Sequence, residues 1–294
     1  MGIPIFFQIH DLTHDIKSEF LEVSVEGGTK NVETINSIKN EIVELNSIRS
    51  RSYVFEGLGL ATAHALPWEI DPNIAQHLSA IHNEIKDHFE FSLGDNILNK
   101  SLGTFMWRSA MIYYMVNLTI DKIKPKHFKY VECGVGDGIT AYVVMSLLDK
   151  KSGVFHRWSS YLCDLWKDSK TPKFGLEKNL EGVFDQLSFN RTEKNLSKFS
   201  SDQYFIHGEL PTSLEKYGTE LYDLSFIHID LNFSEPTIRC VEHLYPRLQK
   251  GGVILFDDYG WSPHPQTRDL LRKFIQKNGT FMMFPTGQAA LFKY

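Results

Sequence analysis

The chain has 294 residues, 42% hydrophobic and 23% charged, with a formal net charge of −5, enough for a sizeable core and one or two domains. That balance carries no basic excess to track a nucleic-acid backbone, and no run nears the ~20 apolar residues of a membrane span. Cys133, Cys163 and Cys240 lie far apart with no C-x-x-C pair, which suits reduced core thiols rather than a disulfide framework or zinc site.

The opening Met1–Phe7 is apolar but short and lacks a basic leader. It is therefore read as no signal peptide, Phe6 breaks the myristoylation pattern, and the reduced cysteines make a cytoplasmic protein the expectation. Phe20–Val25 reads as a strand ending at Gly27-Gly28. Over Asn31–Phe55 the residues Ile35, Ile38, Ile42, Val43, Leu45 and Ile48 keep mostly helical spacing. Glu56–Trp68, with Gly57, Gly59 and Pro67, reads as a loop. Asp71-Pro72 then opens a helix as an N-cap followed by Pro at the first helical position. This helix is expected to reach about Phe91 with Ile74, Leu78, Ile81 and Ile85 on one face. A further helix is expected over Leu102–Ile123. His77, His82 and His88 lack the i, i+4 spacing of a metal pair, and His10 and His14 have that spacing without a convincing helix around them. Residues 1–125 are therefore expected to form a helical extension. It suits either a cover over the substrate or a homodimer contact, and the sequence does not choose between these.

The remainder, 126–294, is organised around Lys129–Thr140. Phe128–Glu132 is rich in aromatic and branched residues and predicts a strand. Gly134, Gly136 and Gly138 follow as a turn, and the apolar run Thr140–Leu148 predicts a helix. Strand, glycine turn and helix in that order make a nucleotide-type binding unit, because glycine permits a tight turn and close approach of a ligand. The spacing is G-x-G-x-G rather than the dinucleotide G-x-G-x-x-G. An acid, Glu132, stands two residues before the first glycine, where it would repel phosphates and suit a cationic ligand.

This stretch resembles motif I of class I S-adenosylmethionine-dependent methyltransferases, E/D-x-G-x-G-x-G after the first strand. The resemblance implies a Rossmann-like α/β fold, with a mainly parallel sheet and a reversed last strand. It also implies S-adenosyl-L-methionine as cofactor, with Glu132, Gly134, Gly136, Gly138 and Gly208 in the cofactor-binding set. Arg157–Leu165 predicts a second strand with Asp164 at its carboxyl edge, where an acid would bind a ribose diol. Asp164 lies 26 residues after Gly138, somewhat beyond the usual ~20.

Residues 167–202 are polar and irregular. Strands are expected at Gln203–His207, Leu224–Asp230 and Val253–Phe256, with a short helix over Leu210–Tyr217 begun by Pro211. A helix over Ser234–Leu248 is expected to stop at Lys250-Gly251-Gly252. Thr267–Lys277 reads as a helix, and Thr280–Pro285 with Ala289–Tyr294 as a closing pair of strands. Alternating strands and helices imply a mainly parallel sheet with right-handed crossovers. Ligands bind outside the carboxyl ends of such strands, so Asp230, Asp257 and Asp258 should converge. Three clustered acids repel one another unless a cation joins them, and all-oxygen ligation suits Mg²⁺ or another hard divalent ion.

The run Phe226-Ile227-His228-Ile229-Asp230 to Asp257-Asp258-Tyr259-Gly260, with Leu244-Tyr245-Pro246-Arg247-Leu248 and Gly251-Gly252 between, resembles the macrocin O-methyltransferase (TylF/MycF-like) family. Pro285-Thr286-Gly287-Gln288 resembles the close of relatives of that group. The family pattern is I-D-G-D-x-Y-x-S-T…L-Y-P-x-L…G-G…D-D-Y. The resemblance implies transfer of a methyl group to a hydroxyl of a sugar or related natural product, with metal at Asp230, Asp257 and Asp258. One departure matters: the second acid of D-G-D is Asn232 here, and an amide accepts no proton at neutral pH. His264, just beyond D-D-Y, is the substitute base to consider. A small hydroxylated molecule is therefore the expected acceptor, with no nucleic-acid or membrane partner. The rival readings are a non-catalytic cofactor-binding protein, motivated by Asn232, and an NAD(P)-dependent oxidoreductase, against which the glycine spacing and Glu132 argue.

Overall fold

The computed structural model describes residues 71–92, 102–167, 182–199, 201–260 and 265–294. The expectations for residues 1–70, including His10 and His14, and for His264 fall outside these. The chain divides into two units, Met1–Gly59 and Leu60–Tyr294, and every described residue belongs to the second.

Helix α1, Pro72–His88, starts as its sequence predicts. Asp71 Oδ1 accepts from the backbone N–H groups of Asn73 (2.9 Å) and Ile74 (3.4 Å), and Pro72 occupies the first turn. Ile74, Leu78, Ile81 and Ile85 form its buried face. The helix ends three residues before the expected Phe91, because Phe89 turns extended at ψ 141°. Helix α2, Leu102–Ile123, spans the expected residues. It is buried on several sides through Phe105, Met106, Ile112, Val116 and Ile120, and packs on α1 and on the sheet.

Strand β1 (His127–Cys133), helix α3 (Ile139–Lys150) and strand β2 (Arg157–Asp164) follow. Beyond them come α4 (Phe189–Leu196), β3 (Asp202–His207), a 3₁₀ stretch over Thr212–Leu221, β4 (Leu224–Ile229) and α5 (Ser234–Leu244). The chain closes with β5 (Leu248–Phe256), α6 (Pro265–Asn278), β6 (Thr280–Met283) and β7 (Ala289–Phe292). The seven strands form one sheet in the order β3-β2-β1-β4-β5-β7-β6. The pairs β1–β2, β2–β3, β1–β4 and β4–β5 are parallel, and β7 runs antiparallel to both β5 and β6. This is the Rossmann-like class I methyltransferase sheet with its reversed last strand, as expected.

Two further elements depart from the sequence reading: the short helix expected over Leu210–Tyr217 is the 3₁₀ stretch Thr212–Leu221, and the region after α5 is built differently. The helix expected to continue to Leu248 ends at Leu244, and Tyr245–Arg247 tighten into a 3₁₀ turn. Pro246 has no N–H with which to continue the helical ladder. Leu248 is already extended (φ −68°, ψ 133°) and begins β5. Gly251-Gly252 therefore lie inside a strand, not after a helix. Two steps along β4, Leu224 to Phe226, face five along β5, Leu248 to Val253. Gly251, at φ +84°, supplies the left-handed backbone that this bulge uses.

Alternation along β1 sorts the two faces of the sheet. Val131 and Cys133 enter a core with Cys240, Leu244, Leu271 and Ile275 of α5 and α6. Tyr130 and Glu132 point to the opposite face, buried as well. All three cysteines are free and buried, as expected of core thiols.

Candidate active site

The site lies where the strand order reverses. From β1 the chain steps outward to β2 and β3, then returns to place β4 on the other side of β1. The loops beyond β1 and β4 must diverge there, which leaves a crevice at the carboxyl ends of the strands. Hydrogen bonds beyond the regular ladder hold its rim. Gly134 N–H donates to Cys163 O (2.9 Å), Asp230 N–H to Cys133 O (2.9 Å), and Asp257 N–H to Ile229 O (3.0 Å). Asp230 and Asp257 are thus pinned just past the last residues of β4 and β5.

The glycine turn adopts a backbone that other residues resist: φ is +87° at Gly134, +55° at Gly136 and +92° at Gly138. A Cβ on Gly134 would lie 2.0 Å from Asp230 O, so the approach of β1's turn to β4's tip requires glycine. Gly136 has open space around the corresponding position. Asp164, at the end of β2, accepts on Oδ2 from the N–H groups of Val135 and Gly136 (both 2.8 Å) and on Oδ1 from Trp166 N–H (2.7 Å). In this structure Asp164 braces the glycine turn. Burial raises its pKa, and the backbone N–H donors oppose that rise.

The far side of the turn is held by groups the sequence reading did not single out. Thr192 Oγ1 donates to Gly136 O (2.6 Å), and Asn195 Nδ2 donates to Asp137 O (2.9 Å). Asp137 Oδ2 accepts from Ser92 N–H (2.8 Å) and Ser92 Oγ–H (2.9 Å). Thr192 and Asn195 come from the polar stretch 167–202, whose spacing carried no motif.

Glu132 is buried and accepts from the Tyr130 hydroxyl. Burial pushes its carboxyl well above the usual range. His228 of β4 stands 3.9 Å from both a Glu132 and an Asp257 carboxylate oxygen. It is fully buried, and burial with the Arg108 charge holds it neutral, its pKa lowered to about 3.

Asp230, Asp257 and Asp258 converge as predicted, with one carboxylate oxygen from each within 4.8 Å of the others. Burial, reinforced by Asp230, raises Asp258 to about 7. The sequence reading missed the cation already present. The Arg108 guanidinium of α2 pairs with Asp257 through Nη2, donates from Nε to Oδ1 of the same residue (3.3 Å), and lies 3.6 Å from Asp230 Oδ2. Gln288 Nε2 also donates to Asp257 Oδ1 (2.9 Å). A signal existed: Arg108 is the lone charged residue between Leu102 and Ile120, in a mostly apolar stretch, and a charge in such surroundings needs a partner.

A cavity of about 290 Å³ joins these parts. Glu132, Gly134, Gly136, Asp164, Gly208, Asp230 and Asn232 line it, with Arg108 near the carboxylates. Gly138, Asp257 and Asp258 are not on its wall. Gly138 (φ +92°) instead caps α3 and meets Leu196, whose side chain lies 3.1–3.2 Å from where a Cβ would be.

Residues 131–259 match the family model described as Methyltransferase domain. Among solved structures, the chain is similar to the O-methyltransferase NovP at 14% identity and a TM-score of 0.58, over 76% of this chain and 98% of that one. It also aligns with the calicheamicin methyltransferase CalS11 at 16% identity and a TM-score of 0.47, over 78% and 94% of the two chains. At these identities the first likeness speaks for the fold alone, and the second adds nothing to it. No curated protein matches by sequence. With its sheet order and its glycine turn at the switch point, the stretch 131–259 that matches this methyltransferase-domain model sits within a Rossmann-like class I methyltransferase fold.

Proposed function

We propose that the chain is an O-methyltransferase acting on a hydroxyl of a small molecule of sugar or natural-product type, with Mg²⁺ or another divalent cation at Asp230, Asp257 and Asp258. One observation carries this reading. A single cavity runs from the glycine turn and Glu132 to Asp230 and Asn232, so a methyl donor held at the turn and an acceptor oxygen held near the carboxylates share one cavity. The name of NovP, an O-methyltransferase, and the resemblance of residues 226–260 to the macrocin group support oxygen as the acceptor atom.

The residues present fit both groups. Open space at Gly136 leaves room for a ligand against the turn, and the buried carboxylate of Glu132 faces the same cavity. Three carboxylates with oxygens this close are the donor set of a hard cation. When bound there, such an ion supplies Lewis-acid polarisation of an acceptor oxygen.

The chain's own groups do the rest. Asp230 positions the acceptor at the cavity wall. The amide of Asn232 orients it by hydrogen bonding but takes no proton. Phe184, Leu187 and Phe233 give the wall an apolar portion that keeps water from the reacting atoms. His264 is the candidate proton acceptor.

The test is a methyl-transfer assay from S-adenosylmethionine across hydroxylated acceptors, with and without EDTA. Turnover is expected with sugar-type acceptors and is expected to fall in EDTA. Asp230→Ala should abolish turnover while cofactor binding, followed by calorimetry, stays nearly intact. Full turnover in that variant overturns the role of Asp230.

A further inference from the structure

The three-carboxylate cluster does not await a metal ion as a bare negative pocket. Asp257, only 3% exposed at its side chain, has both oxygens engaged: Oδ1 accepts from Gln288 Nε2 and Arg108 Nε, and Oδ2 from Arg108 Nη2. A guanidinium fork on a carboxylate is among the strongest pairings a protein makes. The same guanidinium reaches towards Asp230. A divalent ion drawing on Asp230, Asp257 and Asp258 would need the oxygens that Arg108 now holds, and two cations in one such space repel each other.

The two donors on Asp257 differ in their freedom. Gln288 is fully buried and sits beyond a turn closed by Phe284 N–H to Gln288 O (2.8 Å) and Gly287 N–H to Phe284 O (3.0 Å). Arg108 lies on the cavity wall with its side chain 26% exposed, and its long stem leaves the charged head an aqueous alternative. Of the two, Arg108 is the donor able to leave.

We infer that Arg108 is the resident cation of the cluster, and that a divalent metal ion binds there only by displacing its guanidinium from Asp257, so that Arg108 sets the metal affinity of the site. This rests on the metal assignment proposed above. It makes the chain's demand for metal a property of one helix residue rather than of the three acids alone. A displaced guanidinium remains beside the cavity, where it becomes a donor for the acceptor.

The experiment titrates Mn²⁺ into the full chain and follows the free-ion electron paramagnetic resonance signal. It uses wild type, Arg108→Gln and Arg108→Lys, with circular dichroism as a check of folding. Arg108→Gln removes the competing charge and is expected to bind Mn²⁺ about tenfold more tightly than wild type, within the range typical of coupling between two groups that exclude each other. Arg108→Lys keeps a charge but loses the fork, and is expected to fall between the two. If Arg108→Gln does not fold, Arg108→Lys decides, and tighter binding than wild type supports the inference. Binding equal to or weaker than wild type in the deciding variant overturns it, as does no binding in any of the proteins. S-adenosylhomocysteine binding, measured separately, reports on the cofactor site: its loss in all three proteins would strike the methyltransferase reading and leave the metal comparison standing.

Discussion

Gly134 shows how a single residue can be fixed from two directions. It holds φ +87°, and any Cβ there would meet the carbonyl oxygen of Asp230 at 2.0 Å. Gly134→Ala should cost about 1–3 kcal/mol from backbone conformation alone, with the collision adding to that. The expected result is a lower urea midpoint together with weakened S-adenosylhomocysteine binding, because relief of the clash must part the turn from Asp230. An unchanged midpoint would show that β1's turn can withdraw from β4. The glycine spacing was visible in the sequence, whereas the reason for Gly134 is a carbonyl 96 residues further on. Asp164 teaches the same lesson differently. Its place at the end of β2 was legible, but its bonds to Val135 and Gly136 depend on how far the turn folds back over β2.

At the scale of elements, local chemistry predicted starts better than ends. Helix α1 begins where Asp71-Pro72 says it should, since the cap needs only neighbours two and three residues away. Asp71→Ala removes both capping bonds and should cost about 1 kcal/mol, read as a fall in Tm of roughly 2–4 °C for a unit of this size; no fall would mean that packing alone holds the first turn. The end of α5 was misplaced because Gly251-Gly252 carry two meanings. Glycines after a helical pattern stop a helix, and glycines within a strand make a bulge. Pro246 and the partner strand β4 decide for the second. The strands β1 and β4 were near their observed limits from sequence, because each is a compact apolar run ended by glycine or aspartate, whereas β5 starts five residues before the expected Val253.

At the scale of the whole unit, α1 and α2 pack with α3 and the sheet inside Leu60–Tyr294. A fragment beginning at Leu60 is therefore expected to unfold in a single cooperative transition, followed by circular dichroism against urea. Separate transitions for helices and sheet would show that α1 and α2 do not share its core. The reversed last strand was implied by the resemblance to class I methyltransferases, whereas the sequence by itself determined the order of strands and helices, the mainly parallel sheet and the gathering of three aspartates. These follow from periodicity, turn residues and the rule that strand tips face one edge, all of which act within a few residues or through chirality common to every chain. Only the tertiary structure decided what balances those aspartates. Arg108 meets Asp257 across 149 residues of chain, and Gln288 reaches it from a turn beyond the last helix. No local pattern encodes such a meeting, because the energy of an ion pair depends on the distance between its charges in space and on the water excluded around them.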